Sequence, residues 1–437
     1  MGIKVAKFGG SSLADAEQFK KVKKILLADP SRRFVVPSAP GKRFSGDTKI
    51  TDLLYQCYRQ VEKGEDMQAV FSVIEERYRT IAFDLALDID IDGLLDQTRA
   101  DIRRVATPDF AASRGEYLNG VLLSAYMGWD FIDPRGFVKF DRQGVFAEDW
   151  TNELLAQELK NHEYAVIPGF YGSFPNGEVR TFSRGGSDIT GAVVARAAGA
   201  DLYENWTDVS GFLMADPRIV DSPREIRELT YAELRELSYM GATVLHEESI
   251  FPVHKAGIPT NIRNTNMPEH PGTMILEKPS DGVNGTVTGI AGHKNFALIN
   301  IEKPMLNNEI GFCRKVLGVL EDFEISIEHI PTGIDTVSVV VAESEIKDRK
   351  SEIIRRIREV CQPSSVEITE GIALIATVGM GMVRSPGTAA RLFGGLHKAG
   401  VNVRMIDQGS SELNIIVGVD VEDFNKAVRA IYEAFTE

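Results

Sequence analysis

The chain has 437 residues, of which 43% are hydrophobic and 26% are charged, so it is long enough for two or three domains of ordinary globular composition. Its 49 basic and 63 acidic residues give a net charge of −14, which argues against nucleic-acid binding because that requires a basic surface. The three cysteines show no metal-ligand spacing, and no apolar run suits a membrane span or a signal peptide, which predicts a cytoplasmic protein with reduced thiols.

The first half of the chain alternates short apolar runs with amphipathic stretches. Strands are predicted at IKVAKF, RFVVPSAPG, EYAVIPGF and DLYENWTDV. A helix is predicted after the first strand, because Ser12 and Asp15 form a capping-box pattern and apolar residues then recur at helical spacing. A second helix is predicted at GAVVARAAGA. This alternation predicts an α/β fold whose mainly parallel sheet is covered on both faces, with ligands beyond the carboxyl ends of its strands.

The composition changes at residues 268–285, PEHPGTMILEKPSDGVNG, which are rich in proline and glycine and predict a linker. Beyond this linker, two segments repeat the order strand, helix, strand, strand, helix. That order predicts two ferredoxin-like βαββα units, each with an antiparallel sheet and helices on one face. We therefore expect one large domain at 1–280 and two small units at 285–370 and 371–437. A pair of such units after a catalytic-looking domain suggests regulation.

The hexapeptide KFGGSS, residues 7–12, follows the first predicted strand. Gly9 and Gly10 allow backbone N–H groups to approach an anion closely, the helix behind them offers its positive end, and Lys7 adds a compact positive charge. The same residues also fit an ordinary strand–helix turn with a solvated lysine. No G-x-x-x-x-G-K-[ST] pattern occurs, which argues against a P-loop.

A second candidate site is SRGGSDITG, residues 183–191. Arg184 can bind a carboxylate or a phosphate through its fork of donors, and the two glycines after it allow close backbone approach. Ser187 and Asp188 lie at a predicted helix start, where Asp188 could serve only as an N-cap. An arginine, two glycines and an aspartate together favour a binding site over simple capping.

Two further segments carry weaker signals. In WTDVSGFLMADPR, Thr207 and Asp208 follow a predicted strand and Arg218 ends a second turn. These residues could hold the base, ribose and phosphates of a nucleotide, or they could form only a pair of β-turns. Glu116 precedes the predicted apolar helix YLNGVLLSAYMG, where it could interact with the helix dipole or bind a substrate ammonium group.

Together, KFGGSS, SRGGSD, WTDVSGFLMADPR, GATVLH and the tandem βαββα units resemble the aspartokinases of the amino acid kinase family over essentially the whole chain. The resemblance implies an amino acid kinase-like sandwich followed by two ACT units. It also implies that the first ACT unit is inserted into the second, so that the early strand GTVTGIA belongs with the last unit. No apolar-patterned domain follows Phe435, so a monofunctional enzyme without a fused homoserine dehydrogenase is expected.

The implied reaction transfers the γ-phosphate of ATP, with Mg²⁺, to the β-carboxylate of L-aspartate, as the first step of lysine, threonine and methionine biosynthesis. The acceptor carboxylate is already ionised at neutral pH, so the enzyme must mainly align two anions and neutralise charge in the transition state. Lys7 and Asp188 are implied to be catalytic. The aspartate site is implied to comprise Ser38, Thr51, Glu116, Phe170, Arg184, Ser187 and Asp188. The nucleotide site is implied to comprise Lys7, Gly9, Gly10, Ser11, Thr207, Asp208 and Arg218.

The ACT pair implies feedback inhibition by an amino acid and a homodimer or larger assembly. L-lysine is favoured over threonine because Glu328 offers a negative charge to a side-chain ammonium group. The effector site is implied to comprise Met305, Asn308, Glu309, Gly311, Phe312, Ile327, Glu328 and Gly333. No role is assigned to Thr243, which stands where many relatives carry a lysine near the nucleotide.

Two other interpretations remain at this point. Another amino acid kinase, acting on glutamate or on a carbamoyl group, would share the fold, although the tandem ACT units argue against it. A non-catalytic amino-acid sensor built from ACT units belongs to a different class of protein. Such a sensor would carry an eroded N-terminal site, whereas Lys7, Arg184 and Asp188 are all present.

Overall fold

The computed structural model describes residues 2–183, 185–242, 245, 247–280 and 285–436, leaving out the side chains of Glu247 and Glu248. The chain forms two compact units that interleave along the sequence. Unit 1 comprises Met1–Phe212, Arg227–Tyr231 and Val244–Pro279. Unit 2 comprises Leu213–Ile226, Ala232–Thr243 and Ser280–Glu437.

The part of the chain before residue 280 contains short strands separated by longer helices. The strands are β1 Lys4–Phe8, β2 Arg32–Pro37, β3 Asp130–Phe131, β4 Ala165–Val166, β5 Tyr171–Ser173, β6 Val179–Thr181, β7 Leu202–Thr207, β8 Phe212–Leu213, β9 Glu225–Ile226, β10 Glu228–Thr230, β11 Thr260–Asn264 and β12 Thr273–Leu276. The helices are α1 Ala16–Leu27, α2 Ile50–Glu62, α3 Gln68–Asp84, α4 Ile91–Val105, α5 Pro108–Met127, α6 Glu148–Leu159, α7 Gly186–Ala198, α8 Tyr231–Tyr239 and α9 Phe251–Lys255.

Unit 1 is built on an eight-stranded sheet in the order β10-β12-β11-β7-β1-β2-β4-β3. Its neighbouring strands run parallel except for the β11–β12 pair, which is antiparallel. In β1 at the centre, the side chains of Val5, Ala6 and Phe8 are fully buried, as expected for a strand covered on both faces. The predicted mainly parallel α/β sheet is therefore confirmed.

Three local predictions for unit 1 need correction. Helix α1 is capped by Asp15, whose carboxylate accepts a hydrogen bond from the Gln18 N–H, while Ser12 lies earlier in a 3-10 turn, so the Ser12–Asp15 capping box is wrong. Helix α5 begins at Pro108, so Glu116 lies in its middle and not in its first turn. The predicted linker contains β12, which pairs with β10 and β11 in the main sheet.

Unit 2 is built on a five-stranded antiparallel sheet in the order β14-β13-β15-β17-β16. These strands are β13 Gly289–Glu302, β14 Thr336–Ala342, β15 Ser365–Val378, β16 Met405–Asp407 and β17 Asn414–Asp420. The helices of this part are α10 Phe312–Asp322, α11 Glu343–Ile346, α12 Lys350–Cys361, α13 Thr388–Lys398 and α14 Phe424–Thr436.

Two long strands join the halves of this sheet. Residues 296–302 of β13 pair with β14, whereas residues 289–293 pair with the second half of β15, which in turn pairs with β17. The β13–β15 register shifts between His293 and Phe296, around Asn295 with its left-handed φ of 71°. The predicted strand EISIEHI is not a regular strand, because only isolated bridges such as His329 to Val340 occur there.

Two short segments that precede residue 280 pack within unit 2. The Ile290 N–H donates to the Met214 carbonyl at 2.7 Å, and Met214 and Val220 join an apolar cluster with side chains of β15 and β17. Farther along, the buried carboxylate of Glu233 accepts hydrogen bonds from the Thr288 hydroxyl and from the Met380 N–H. These contacts explain why 213–226 and 232–243 belong to the second unit.

Candidate active site

The KFGGSS segment forms a tight turn at the carboxyl end of β1. The Gly9 N–H donates to the Trp206 carbonyl on the neighbouring strand β7 at 2.9 Å, and the Ser12 N–H donates to the Gly9 carbonyl at 3.0 Å. A Cβ atom on Gly10 would lie 2.8 Å from the Ala39 carbonyl oxygen, so only glycine fits there without displacing the backbone. We call Gly9–Ser12 the glycine turn.

Lys7, the first residue of the hexapeptide, forms a nearly buried ion pair with Asp188. The distance from Nζ of Lys7 to Oδ1 of Asp188 is 2.6 Å, and the two side chains are only 8% and 19% exposed. Asn205 on β7 donates through Nδ2 to the same carboxylate oxygen at 2.7 Å. Because Gly185 is the N-cap of α7, Asp188 lies in the first turn and is not a capping residue. The ion pair with Asp188 excludes the alternative in which Lys7 is a solvated lysine without a partner.

Glu116 of α5 is 5% exposed, and its Oε2 atom has no hydrogen-bond partner among the described residues. Burial raises the pKa of Glu116 to about 8, although the Ala39 backbone and the Ser187 hydroxyl lower it in part. A buried carboxyl group with an unsatisfied oxygen is costly unless a donor or a cation completes it. This position therefore suits a substrate ammonium group.

Two of the other predicted aspartate-site residues sit on strand-end loops with constrained backbones. The Ser38 N–H donates to the Phe8 carbonyl, and the Ser38 carbonyl accepts from Nδ2 of Asn119 at 2.6 Å. Phe170 has a left-handed φ of 79°, and its N–H donates to the Thr190 hydroxyl at 2.9 Å. A Cβ atom on Gly186 would lie 2.4 Å from the Phe170 ring.

The remaining predicted residues lie in different parts of the chain. Thr207 ends β7, and its hydroxyl donates to the Asp208 carboxylate at 3.2 Å. Thr51 lies in the first turn of α2. Arg218 belongs to unit 2, where its guanidinium group is 87% exposed and pairs with Asp216 at 2.6 Å. Arg184 and Thr243 lie outside the described residues.

Sequence reasoning missed two buried amides that contact the predicted residues. Asn205, 3% exposed, orients Asp188, and Asn119, fully buried, holds the Ser38 carbonyl. Asn205 had a recognisable signal, since it and the adjacent Glu204 are polar residues between the apolar residues Tyr203 and Trp206 of a predicted strand. Asn119 follows Glu116 by three residues, the spacing that places two side chains on one helix face.

Five of the predicted effector residues, Met305, Asn308, Glu309, Gly311 and Phe312, lie just before or at the N-terminus of α10. Gly311 is the N-cap of this helix with a left-handed φ of 82°, and Phe312 is buried at its first position. Lys303 and Lys315 pair with Glu309, each at 2.6 Å, and they hold the pKa of this carboxyl group below its usual value.

Predicted effector residues lie on both loops that flank this helix. Glu328 accepts a hydrogen bond from the Tyr239 hydroxyl. The Met305 N–H donates to Asp335, and the Gly333 N–H donates to the Thr336 carbonyl. Asn308 ends a 3-10 turn, and Ile327 is partly buried against the apolar cluster of this half of the sheet.

Among the described residues, no group of three or more histidine, cysteine, aspartate or glutamate side chains is arranged to hold a metal ion. None of the described helices combines the length and the apolar character needed to cross a membrane.

Comparison with known proteins gives two family matches. The model of the amino acid kinase family matches residues 2–264, and an ACT domain model matches residues 375–435. Aspartokinase 3 of Bacillus subtilis is 39% identical to the chain, over 99% of the chain and 98% of that protein.

Solved structures give the same result. The crystal structure of Clostridium acetobutylicum aspartate kinase has a TM-score of 0.92 and 53% sequence identity, and each chain is covered completely. Escherichia coli aspartokinase III, solved with aspartate and ADP, has a TM-score of 0.76 and 26% identity over the whole of both chains. The same enzyme solved with lysine and aspartate has a TM-score of 0.76 and 27% identity.

Proposed function

Because the chain belongs to the aspartokinases of the amino acid kinase family and carries an ACT domain, we propose that it transfers the γ-phosphoryl group of ATP to the β-carboxylate of L-aspartate. The products are 4-phospho-L-aspartate and ADP. This reaction is the first step toward lysine, threonine and methionine. The E. coli relative was solved with aspartate and ADP, which supports the choice of substrates.

The observation that carries the proposal is the Lys7–Asp188 ion pair beside the glycine turn. A carboxylate attacking a triphosphate brings two anions together, and a fixed positive charge at the reacting phosphorus offsets their repulsion. Lys7 provides this charge at the carboxyl end of β1, and Asp188, fixed by Asn205, keeps its ammonium group in place. No general base is required because the acceptor is ionised at neutral pH.

The aspartate subsite is assigned to the loops around Glu116. The unsatisfied Oε2 atom of Glu116 receives the substrate ammonium group, together with Asp188. Arg184 binds the α-carboxylate through its paired donors. The remaining walls of this subsite are Ser38, Thr51, Phe170 and Ser187.

The nucleotide subsite is assigned to the glycine turn and to the end of β7. The N–H groups of Gly9, Gly10 and Ser11 approach the phosphates, while Thr207 and Asp208 contact the nucleoside. Mg²⁺ typically binds through substrate phosphates and one or two carboxylates, which fits a site without a dedicated cluster of metal ligands among the described residues. When bound, Mg²⁺ neutralises the phosphate oxygens.

The reaction is tested with purified enzyme, ATP and Mg²⁺ in an assay that couples ADP formation to a dye. We expect ADP formation only when L-aspartate is present, and hydroxylamine should trap the acyl phosphate as aspartyl hydroxamate. Glutamate at the same concentration serves as the comparison substrate. Equal rates with glutamate would contradict the assigned specificity.

Aspartate binding should depend on pH through Glu116. Since the pKa of Glu116 is raised to about 8, the empty enzyme is mostly protonated there at pH 7, and binding of an ammonium group must release that proton. KM for aspartate should therefore fall as pH rises from 6.5 to 8, by up to tenfold per pH unit, and level off above pH 8. In Glu116→Gln, KM should be higher and should not follow this profile. A parent enzyme with a flat profile would show that Glu116 does not face the ammonium group.

We assign residues 1–280 to the kinase domain, 285–370 to the first ACT region and 371–437 to the second, with the strand at 289–293 shared with the second.

The ACT pair is proposed to bind an amino-acid end product, with L-lysine as the effector, in agreement with the E. coli enzyme solved with lysine. Lys303 and Lys315 already neutralise Glu309, so Glu328 is the carboxylate assigned to the lysine side chain. We further propose a cytoplasmic homodimer, or a larger assembly, that pairs through its ACT units.

L-lysine should inhibit the aspartate-dependent reaction, and Glu328→Gln should raise the half-inhibitory concentration by roughly tenfold, the value of one charge-assisted contact. Glu321→Gln, on the exposed side of α10, is the matched control and should behave as the parent enzyme. The measurement is a titration of lysine, threonine and methionine at fixed aspartate. Inhibition by threonine but not by lysine would overturn the choice of effector.

A further inference from the structure

The segment Gly41–Asp47, here called the basic loop, lies directly against the glycine turn. The Gly41 N–H donates to the Gly10 carbonyl at 2.8 Å. A Cβ atom on Gly41 would lie 2.6 Å from the carbonyl carbon of Gly10, so the two backbones are in van der Waals contact. The loop therefore begins at the site assigned to the nucleotide phosphates.

One buried arginine from α3 holds both ends of the basic loop. Arg77 has a side chain only 3% exposed, and its Nη2 atom lies 2.7 Å from a carboxylate oxygen of Asp47. Its Nη1 atom donates to the Gly41 carbonyl at 3.1 Å and more weakly to the Ala14 carbonyl at 3.4 Å. Burying a guanidinium group is costly, so a single arginine that spans these three points fixes the loop relative to the turn.

Between these anchors the loop is exposed and basic. Arg43 is already bound, since its Nε atom donates to Asp47 at 2.8 Å. Lys42 follows Gly41 directly, is exposed, and has no hydrogen bond or ion pair to any described residue. Lys42 is therefore a free positive charge one residue away from the backbone contact with the glycine turn.

The charges near the glycine turn suggest a role for Lys42. Lys7 supplies one positive charge beside the glycine turn, and Asp188 at 2.6 Å offsets part of it. Phosphoryl transfer between two anions needs further positive charge around the phosphate oxygens. We propose that Lys42 contacts the terminal phosphates of the bound nucleotide and that Arg77 is the positioning residue that keeps the basic loop in place. This inference rests on the proposed kinase function.

The first experiment compares Lys42→Ala, Lys42→Arg and the control Lys63→Ala, which removes another exposed lysine at the end of α2. We expect kcat/KM for ATP to fall roughly tenfold in Lys42→Ala, the size of one charge-assisted contact, with KM for aspartate unchanged. Lys42→Arg should restore most of the loss, and Lys63→Ala should match the parent. Lys42→Ala within about twofold of the parent would overturn the proposal.

Direct binding separates the contact with the terminal phosphate from a general effect of charge. Lys42→Ala should lose more affinity for a non-hydrolysable ATP analogue than for ADP. Equal losses for both nucleotides would contradict contact with the terminal phosphate. If the parent enzyme itself consumes no ATP with aspartate, the proposed function fails, whereas an active parent that Lys42→Ala matches leaves the function standing and removes only this inference.

The positioning role of Arg77 is tested by a double-mutant cycle. Arg77→Met should lower kcat/KM for ATP about as much as Lys42→Ala, and it should cause little further loss in the Lys42→Ala background. Losses that add independently would show that Arg77 acts only on stability. Asp47→Asn, which weakens the far anchor without removing the arginine, provides the same test if Arg77→Met does not fold, as judged by thermal unfolding.

Discussion

Replacing Lys7 with alanine is expected to lower kcat by about a hundredfold or more, corresponding to roughly 3 kcal/mol of lost transition-state stabilisation. The reason is that a charge acting on the transferring phosphoryl group contributes mainly in the transition state. KM for aspartate should change much less than kcat, because the aspartate site is built from other residues. The measurement is steady-state kinetics of the coupled assay with both substrates varied.

The matched control is Lys4→Ala on the same strand. Lys4 is also a lysine of β1, but it lies at the opposite end, where it pairs with Asp29 at 2.7 Å and is 31% exposed. This variant should keep nearly full activity. If Lys7→Ala stays within about threefold of the parent enzyme, the Lys7–Asp188 pair is a structural ion pair and not part of the chemistry.

Removing the buried carboxylate of Glu204 should destabilise unit 1 by about 3–5 kcal/mol. Glu204 in β7 is fully buried, and Nε of Arg32 lies 2.6 Å from its carboxylate. Trp206 Nε1 donates to the same group at 3.0 Å, and Arg263 lies 3.8 Å from its other oxygen. Glu204→Ala therefore removes the ion-pair partner of the buried Arg32 and the nearest carboxylate of Arg263, which is 19% exposed.

The loss can be followed by urea unfolding with tryptophan fluorescence, because Trp129, Trp150 and Trp206 all lie in unit 1. Glu17→Ala, which breaks an exposed ion pair with Lys20, is the control and should leave the midpoint unchanged. The double variant Arg32→Met/Glu204→Leu should recover much of the loss, since apolar residues can replace a buried ion pair. A small effect of Glu204→Ala would mean that water reaches the two arginines.

The sequence predicted four of the eight strands of the unit 1 sheet, namely β1, β2, β4 and β7. Three of these, β1, β2 and β4, lie in short apolar runs that end at glycine or proline. The prediction failed where a tertiary partner decided the outcome. Residues 273–276 look like part of a linker, yet they form a strand because β10 and β11 provide partners for their backbone. The residues around Ser326–Ile330 have strand composition, but they make only isolated bridges.

The candidate site also contains features that the sequence predicted and features that it did not. Lys7 and Asp188 were predicted together from motifs more than 170 residues apart, and they lie 2.6 Å from each other. The raised pKa of Glu116 could not be predicted, because it results from burial in the folded chain, which hydrogen bonds from Ala39 and Ser187 offset only in part. Arg77 gave no signal either, since a single arginine in an amphipathic helix usually faces solvent.

No element was predicted for residues 50–105, although α2 carries a readable pattern. Ile50, Leu53, Leu54 and Cys57 recur at helical spacing, and all four side chains are buried. This periodicity is sufficient to predict the helix.

The interleaving of the two units limits how this enzyme can be re-engineered. A chain truncated near residue 280 would still carry 213–226 and 232–243, but it would lack the cluster that buries Met214 and Val220 and the partners of Glu233. Exposed apolar side chains of this kind promote aggregation. Unit 2 therefore cannot be removed by a single cut in the chain, and its allosteric regulation is better altered by point substitutions than by deleting or exchanging that unit.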